Sequence, residues 1–281
     1  MPRILGRFLT LGLIVAVALL QPVVLLADDK WESSGEGISD DDSNTRNQLV
    51  HGNSQVHDAQ GTGVNFATPD FDFIRVATRV RHSYEARISG APITLTNGTC
   101  AECAQFDRVT AAGTIIQAGS AIDGTTTGAR SSHLVLRWLG SANQQEFIRV
   151  RGLNGFPTSA NDDYTVEFFD TTYFGPRFNQ SGGQVTVVLV QNANKDITPT
   201  AITGNIHFYN SAGTLLATQA LNVPSDGIQV VSTAAIPALA GQSGAVTIAH
   251  TGGYGELAAK AVALEPATGF TFDTPFQPIP H

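Results

Sequence analysis

Residues 71 to 78 read FDFIRVAT, and the reading of this octapeptide decides the class of the whole chain. Apolar residues alternate with polar ones from Phe71 to Phe73 and less cleanly beyond, the two-residue period of a pleated strand rather than the 3.6-residue period of a helix. The theme returns in SYEARIS (83 to 89), SHLVLRW (132 to 138), QEFIRVRG (145 to 152) and YTVEFFD (164 to 170), separated by Gly, Asn, Asp or Pro clusters. Gly175-Pro176 is expected to interrupt the chain, because proline removes a backbone donor and glycine weakens a strand.

A second series follows in QVTVVLVQN (184 to 192), AITGNIHFYN (201 to 210), TLLATQALNV (214 to 223), GIQVVSTAAI (227 to 236), GAVTIAHT (244 to 251) and ELAAKAVALE (256 to 265). Asn210-Ser211-Ala212-Gly213 is suited to a hairpin connection. The last segment has the highest helix propensity of the group, with Glu256, Ala258, Ala259, Lys260 and Ala261. It still reads as a strand, since Gly253 and Gly255 precede it and Pro266 closes it. The fold expected is all-β, with two consecutive β-sandwich domains.

The chain opens MPRILGRFLTLGLIVAVALLQPVVLLADDK, where Arg3 and Arg7 precede an apolar run from Phe8 to Leu20 and acid follows abruptly at Asp28. This is the profile of a secretory signal peptide cleaved after Ala27. An uncleaved anchor is the alternative, since Phe8 to Ala27 approaches the length of a membrane span. Removal of residues 1–27 takes two of the 16 basic residues and none of the 24 acidic ones. So acidic a surface repels phosphate backbones and disfavours nucleic acid as a partner. No second apolar stretch reaches spanning length, so no membrane span is expected in the mature chain.

Residues 28–61 hold only isolated large apolar residues among acids, Ser, Asn and Gly. That composition reads as a disordered acidic spacer, unable to offset the entropy of ordering. Asp40, Asp41 and Asp42 lack the later glutamate and central glycine of an EF-hand and read as a solvated charge run. The expected organisation is a signal peptide (1–27), the spacer (28–61), one sandwich (62–173), a second (176–275) and a tail (276–281).

Asp70-Phe71-Asp72-Phe73-Ile74-Arg75-Val76, then Tyr84, and later Phe147-Ile148-Arg149-Val150-Arg151-Gly152 with Asp163-Tyr164-Thr165-Val166-Glu167-Phe168 carry a family resemblance. Over residues 62–172 the chain resembles the bacterial pre-peptidase C-terminal (PPC-like) domains, β-sandwich modules appended to secreted proteases. The cysteine pair and the Gly/Thr-rich stretch at 119–130 depart from that pattern. Residues 176–275 resemble, by pattern alone, the immunoglobulin-like or fibronectin-like sandwiches of bacterial surface proteins; the Cys…Trp…Cys hallmark is missing. Both resemblances imply a non-catalytic accessory or adhesive role, which fold by itself does not establish.

The motifs of catalysis are scarce. The chain has neither a Gly-x-Ser-x-Gly elbow nor a His-Glu-x-x-His zinc helix. Of the seven histidines, His133 and His207 lie in apolar strands and read as wall or core residues, His51, His57 and His82 lie in or near loops, and His250 ends a strand. Two readings stand for Asp70 with Asp72 and for Asn161 with Asp162 and Asp163: a calcium site assembled from loop oxygens, or turn chemistry in which Asp and Asn bond their own backbone. No other cofactor is implied. Trp138, Tyr173, Phe174, Tyr209 and Tyr254 could stack on sugars, although alternation does not say which face outward and a core claims them by default. The sequons at Asn97 and Asn179 would matter only on a eukaryotic secretory route, and the resemblances are bacterial.

Cys100 and Cys103 are the only two cysteines. A redox reading needs a strand-to-helix junction, haem attachment needs a histidine where Ala104 stands, and a zinc ribbon needs a second pair. Export makes a disulfide the default, a clip in one loop of the first sandwich. The functional expectation is a secreted, periplasmic or cell-surface protein of structural or adhesive character whose partner is an extracellular protein or a glycan. Carbohydrate binding and an extracellular hydrolase with an unrecognised site are the alternatives.

Overall fold

The computed structural model describes residues 43–58, 71–90, 93–96, 99–121, 134–153, 163–194 and 200–281. The first part of the chain supplies β1 (Gln48–Leu49), β2 (Ser54–Asp58), β3 (Phe71–Thr78), β4 (Ser83–Ser89), β5 (Ile93–Thr96), β6 (Thr99–Val109), β7 (Ile115–Ala118), β8 (Ser120–Ala121), β9 (Leu134–Leu139), β10 (Gln144–Leu153) and β11 (Asp163–Asp170). One sheet has the order β1-β3-β10-β6-β5, with β7 also paired to β6, and the other has the order β2-β11-β4-β9-β8. Pairing is antiparallel throughout except that β1 runs parallel to β3. Between the sheets Leu49, Ile74, Val76, Phe106 and Ile148 meet Tyr84, Ile88, Leu136, Trp138 and Val166.

The second part supplies β12 (Tyr173–Asn179), β13 (Val185–Asn192), β14 (Ile202–Asn210), β15 (Leu215–Val223), β16 (Ile228–Ser232), β17 (Ser243–His250), β18 (Leu257–Glu265), β19 (Phe270–Pro275) and β20 (Gln277–Pro278), with two single 3-10 turns between β16 and β17. Its sheets run β15-β14-β17-β12-β20 and β16-β13-β18-β19. Their inner faces share a core in which Ile206, Phe208, Val246 and Ile248 pack on Val188, Val190, Leu257 and Ala261. The chain is all-β, and each pair of sheets forms a sandwich around its own apolar cluster.

In β3 the inward residues are Asp72, Ile74 and Val76. Phe71 and Phe73 lie on the other face, where the guanidinium of Arg149 sits 5.5 Å from the Phe71 ring and 6.0 Å from that of Phe73, and Arg151 lies 5.3 Å from Phe71. Aliphatic side chains took the core, and cation–π contacts cover the phenylalanines. β18 is a strand, as its bracketing Gly and Pro indicate. The β14–β15 hairpin turns at Asn210, whose Oδ1 accepts the Ala212 and Thr214 N–H groups at 3.0 and 2.9 Å, with Gly213 at φ 80°.

Four sequence expectations are corrected. The spacer does not extend to residue 61 as unstructured chain: β1 and β2 add to β3 and β11 by backbone pairing, and Asn47, Leu49 and His57 are buried. Ladder bonds do not require an apolar composition, which is why the composition missed them. β12 runs through Gly175-Pro176 rather than stopping there, because a register shift against β17 between Gly175 and Phe178 accommodates the proline. The cysteine stretch is not a loop but the interior of the eleven-residue β6. The tail is also part of the fold, since Phe276 is buried and β20 pairs with β12; a Cβ on Gly175 would stand 2.5 Å from the Phe276 ring.

Phe208 is fully buried and meets Phe178 edge-on at 5.4 Å. Phe208→Ala is expected to lower unfolding free energy by about 3–5 kcal/mol, the range for deleting a core aromatic, as measured by urea denaturation followed by tryptophan fluorescence.

Candidate functional site

Of the residues marked for calcium, the structure describes Asp72 and Asp163. Asp72 points into the first sandwich, where it accepts a hydrogen bond from the Tyr164 hydroxyl and has His57 Nδ1 3.7 Å away; His57 in turn stacks on Tyr164 at 5.7 Å. Asp163 is exposed at the start of β11, opposite Asp58. Asp70, Asn161 and Asp162 lie outside the described residues. Among the described residues no group of three or more His, Cys, Asp or Glu is placed to hold a metal ion.

The backbone of Cys100 and Cys103 lies in β6, and their side chains lie outside the described residues. The pairing of β6 with β5 shifts register between Glu102 and Cys100.

One group of titratable side chains gathers where the two sandwiches meet. The residues joining β11 to β12, Thr171 and Thr172, are fully buried. Thr171 N–H donates to the Ser83 carbonyl at 2.8 Å, and Asp170 accepts both Thr172 N–H at 3.0 Å and His82 Nδ1 at 2.7 Å. On the outer face of β4 and β9, Glu85 is completely buried and accepts from Arg87 and from Arg137 Nε at 2.6 Å. Arg137 then reaches Glu256 of the second sandwich at 2.7 Å, whose other oxygen accepts the Gly253 N–H at 2.6 Å. Beside this network Phe169 stacks on Tyr254 at 5.0 Å. His51 takes the Asp170 N–H on Nδ1 at 2.9 Å and donates from Nε2 to the Ile279 carbonyl at 3.1 Å.

His250 closes the junction by donating from Nε2 to the Thr171 carbonyl at 2.8 Å. Burial pushes this imidazole down to about 4 and the Arg137 charge adds to the depression, while the Thr171 carbonyl and Asp170 act in the opposite sense. His207 is likewise lowered to about 4 by burial, then by the charges of Arg81 and His82. Both rings are therefore neutral at physiological pH. They serve as structural polar groups, as the sequence suggested for His207.

The open face of the molecule is different in chemistry. Ile206 and Phe208 of β14 point inward, which turns His207 and Tyr209 to the outer face; His207, opposite Thr247, is buried beside the junction, and Tyr209, opposite Ala245, stands at the open end of the sheet. On β12 the bulge carries exposed Arg177 to the same end of the sheet. The result is a cleft of about 650 Å³ lined by Arg177, Asn179, Tyr209, Asn210, Ser211 and Ser243, among others. A Cβ on Gly244 would collide with the Tyr209 carbonyl, so the sheet's close approach here requires glycine. A smaller cleft of about 210 Å³ lies on the other side of Arg177, against Phe270, Phe272 and Glu265. Tyr209 was among the aromatic candidates; Trp138 and Tyr173 are core residues, while Phe174 is partly exposed. Arg177 went unmarked because nothing in a strand pattern reveals where a bulge aims a side chain.

No family model matches the chain, and no curated protein matches it. Among solved structures, the full extracellular region of zebrafish Gpr126/Adgrg6 is similar at 8% sequence identity and a TM-score of 0.26, covering 81% of this chain and 30% of that one. The chain thus spans less than a third of that structure's length, and so slight a likeness assigns no function.

His250 makes stability depend on acid. Its folded pKa of about 4 lies below the ordinary histidine value of 6.5, so between these limits the unfolded chain binds a proton that the folded one excludes. Stability therefore rises with pH across that window, and this one group accounts for roughly 3 kcal/mol between pH 4 and pH 7. Urea midpoints measured from pH 4 to 7 should climb less steeply for His250→Gln than for the wild-type chain.

Proposed function

We propose that this is an exported, non-catalytic binding protein that meets an extracellular macromolecule through the outer face of β14, β17 and β12. The observation that carries the reading is the division of chemistry over the surface. His82, His250, Asp170, Glu85 and Glu256 are drawn into ion pairs and hydrogen bonds at the junction, whereas the cleft at Arg177 presents tyrosine, amides, hydroxyls and one arginine. Acid–base or nucleophilic catalysis needs a titratable or activated group facing the substrate. The cleft's groups suit recognition, by aromatic contact and hydrogen bonding.

Three further features support this reading. The opening sequence has the profile of an export signal. Among the described residues no helix is long and apolar enough to cross a membrane. The first sandwich's resemblance to PPC-like domains, and the second's to bacterial immunoglobulin-like modules, points to accessory rather than catalytic roles. The protein is then a rigid pair of sandwiches presenting one open sheet face outside the cell or in the periplasm.

N-terminal sequencing of the exported protein should begin at Asp28, and the purified chain should turn over no ester, peptide or glycoside substrate above the buffer rate. Turnover abolished by His82→Gln or by Asp170→Asn would overturn the non-catalytic reading.

A further inference from the structure

Resting on the binding role proposed above, we infer that the cleft at Arg177 and Tyr209 binds an acidic oligosaccharide. Its volume of about 650 Å³ falls within the ~300–1,000 Å³ common for small-ligand sites. Three neighbouring strands build it at one end of their sheet, β14, β17 and β12. Tyr209 is half-buried, with its ring held on the outer face opposite the small residue Ala245. Gly244 adds no side chain above it. A ring fixed in this way, with apolar faces and a hydroxyl that makes no hydrogen bond to another described residue, can take a sugar face at little entropic cost.

The polar groups around the ring point to the charge of the ligand. Arg177 is exposed and has no carboxylate within ion-pair distance among the described residues, although the chain as a whole carries a formal charge of −8. No aspartate or glutamate lines the cleft. Arg87, Arg108, Arg137 and Arg149 each have a carboxylate partner, whereas Arg177, like the exposed Arg46, Arg79 and Arg81, has none among the described residues and alone of these lines the cleft. A guanidinium presents paired donors that fit a carboxylate or sulfate. Asn210 spends its Oδ1 on the Ala212 and Thr214 N–H groups, which leaves its amide NH₂ as a donor. Ser211 and Ser243 add exposed hydroxyls.

A polyhydroxylated ligand fits better than a peptide. β14 and β17 are interior to the sheet, so their backbone groups are already paired; β20 covers β12 at Tyr173 and Phe174, and beyond them Pro176 withholds a donor and the bulge breaks the register, which blunts that edge for strand addition. What remains on the surface is one aromatic ring among hydroxyl, amide and guanidinium groups. A flat ring bearing hydroxyls and a single acidic substituent satisfies all of them at once.

Calorimetric titration of the full exported chain tests the site with five probes: a galacturonate pentamer, its methyl-esterified form, a sulfated galactose pentamer, a neutral galactose pentamer and pentaglutamate. At least one acidic saccharide should bind, and removal of its charge should weaken binding about tenfold, as should Arg177→Gln, by loss of a charge-assisted contact. Tyr209→Ala should weaken binding several-fold, with circular dichroism and melting temperature showing that both variants stay folded. Failure of both acidic saccharides to bind, binding indifferent to both variants, or pentaglutamate binding as tightly as the saccharides would each overturn the proposal while leaving the non-catalytic reading in place. Recovery of a shortened saccharide after incubation would instead overturn the non-catalytic reading.

Discussion

A carboxylate with no exposed surface, Glu85, sits on the outer face of the first sandwich and sets the terms on which the two halves meet. Desolvating a charge costs several kcal/mol unless opposite charges and hydrogen bonds compensate it. Arg87 and Arg137 supply that compensation. Arg137 is itself held from the far side by Glu256, 119 residues along the chain. The second sandwich is thus part of the solvation of the first. Loss of any one member would leave an uncompensated buried charge, which is more destabilising than replacing the whole network by apolar groups.

The covalent link reinforces this docking. Asp170, Thr171 and Thr172 are buried and hydrogen-bonded to Ser83, His82 and His250, so the connection has none of the solvated backbone that makes a hinge. Five of the six described histidines, His51, His82, His207, His250 and His281, lie at or beside this seam. The neutral imidazoles of His207 and His250 fill space as an aromatic ring does while offering one donor and one acceptor, which suits a seam made of backbone carbonyls and tyrosine rings. The docking covers the outer face of β4 and β9 and leaves that of β14, β17 and β12 open at its far end.

The strands that could be read from sequence were those whose own residues supply the burial. FDFIRVAT, YTVEFFD and QVTVVLVQN carry enough β-branched and aromatic side chains that no neighbour is needed to explain them. β1, β2, β5 and β6 are different: they are rich in Gln, Ser, Thr and Ala and exist because a partner strand offers its unpaired backbone. That offer is invisible in a local window. The same limit hid the junction, since alternation places Arg137 on an outer face and says nothing of the glutamate that arrives from 119 residues away. It also hid the proposed site: Tyr209 could be named as an available aromatic, but its company is set by pairing with β17 and by the bulge at Pro176-Arg177.

The edges of the second sandwich show why an open sheet face, rather than an open edge, is the feature to which function is assigned. β15 ends its sheet, and exposed backbone there would invite pairing with another chain. Gln229 of β16 occupies that position: its Oε1 accepts the Asn222 N–H at 2.7 Å and its Nε2 donates to the Ala220 carbonyl at 3.0 Å. One side-chain amide thereby imitates the strand that is absent and ties the two sheets together. At the opposite side of the sandwich β20 covers the start of β12, and Pro176 withholds a donor farther along it. With these edges blunted, recognition at the sheet face depends on side chains alone. There an arginine free of internal partners gains more from a ligand's acid than one that must first surrender a carboxylate of its own.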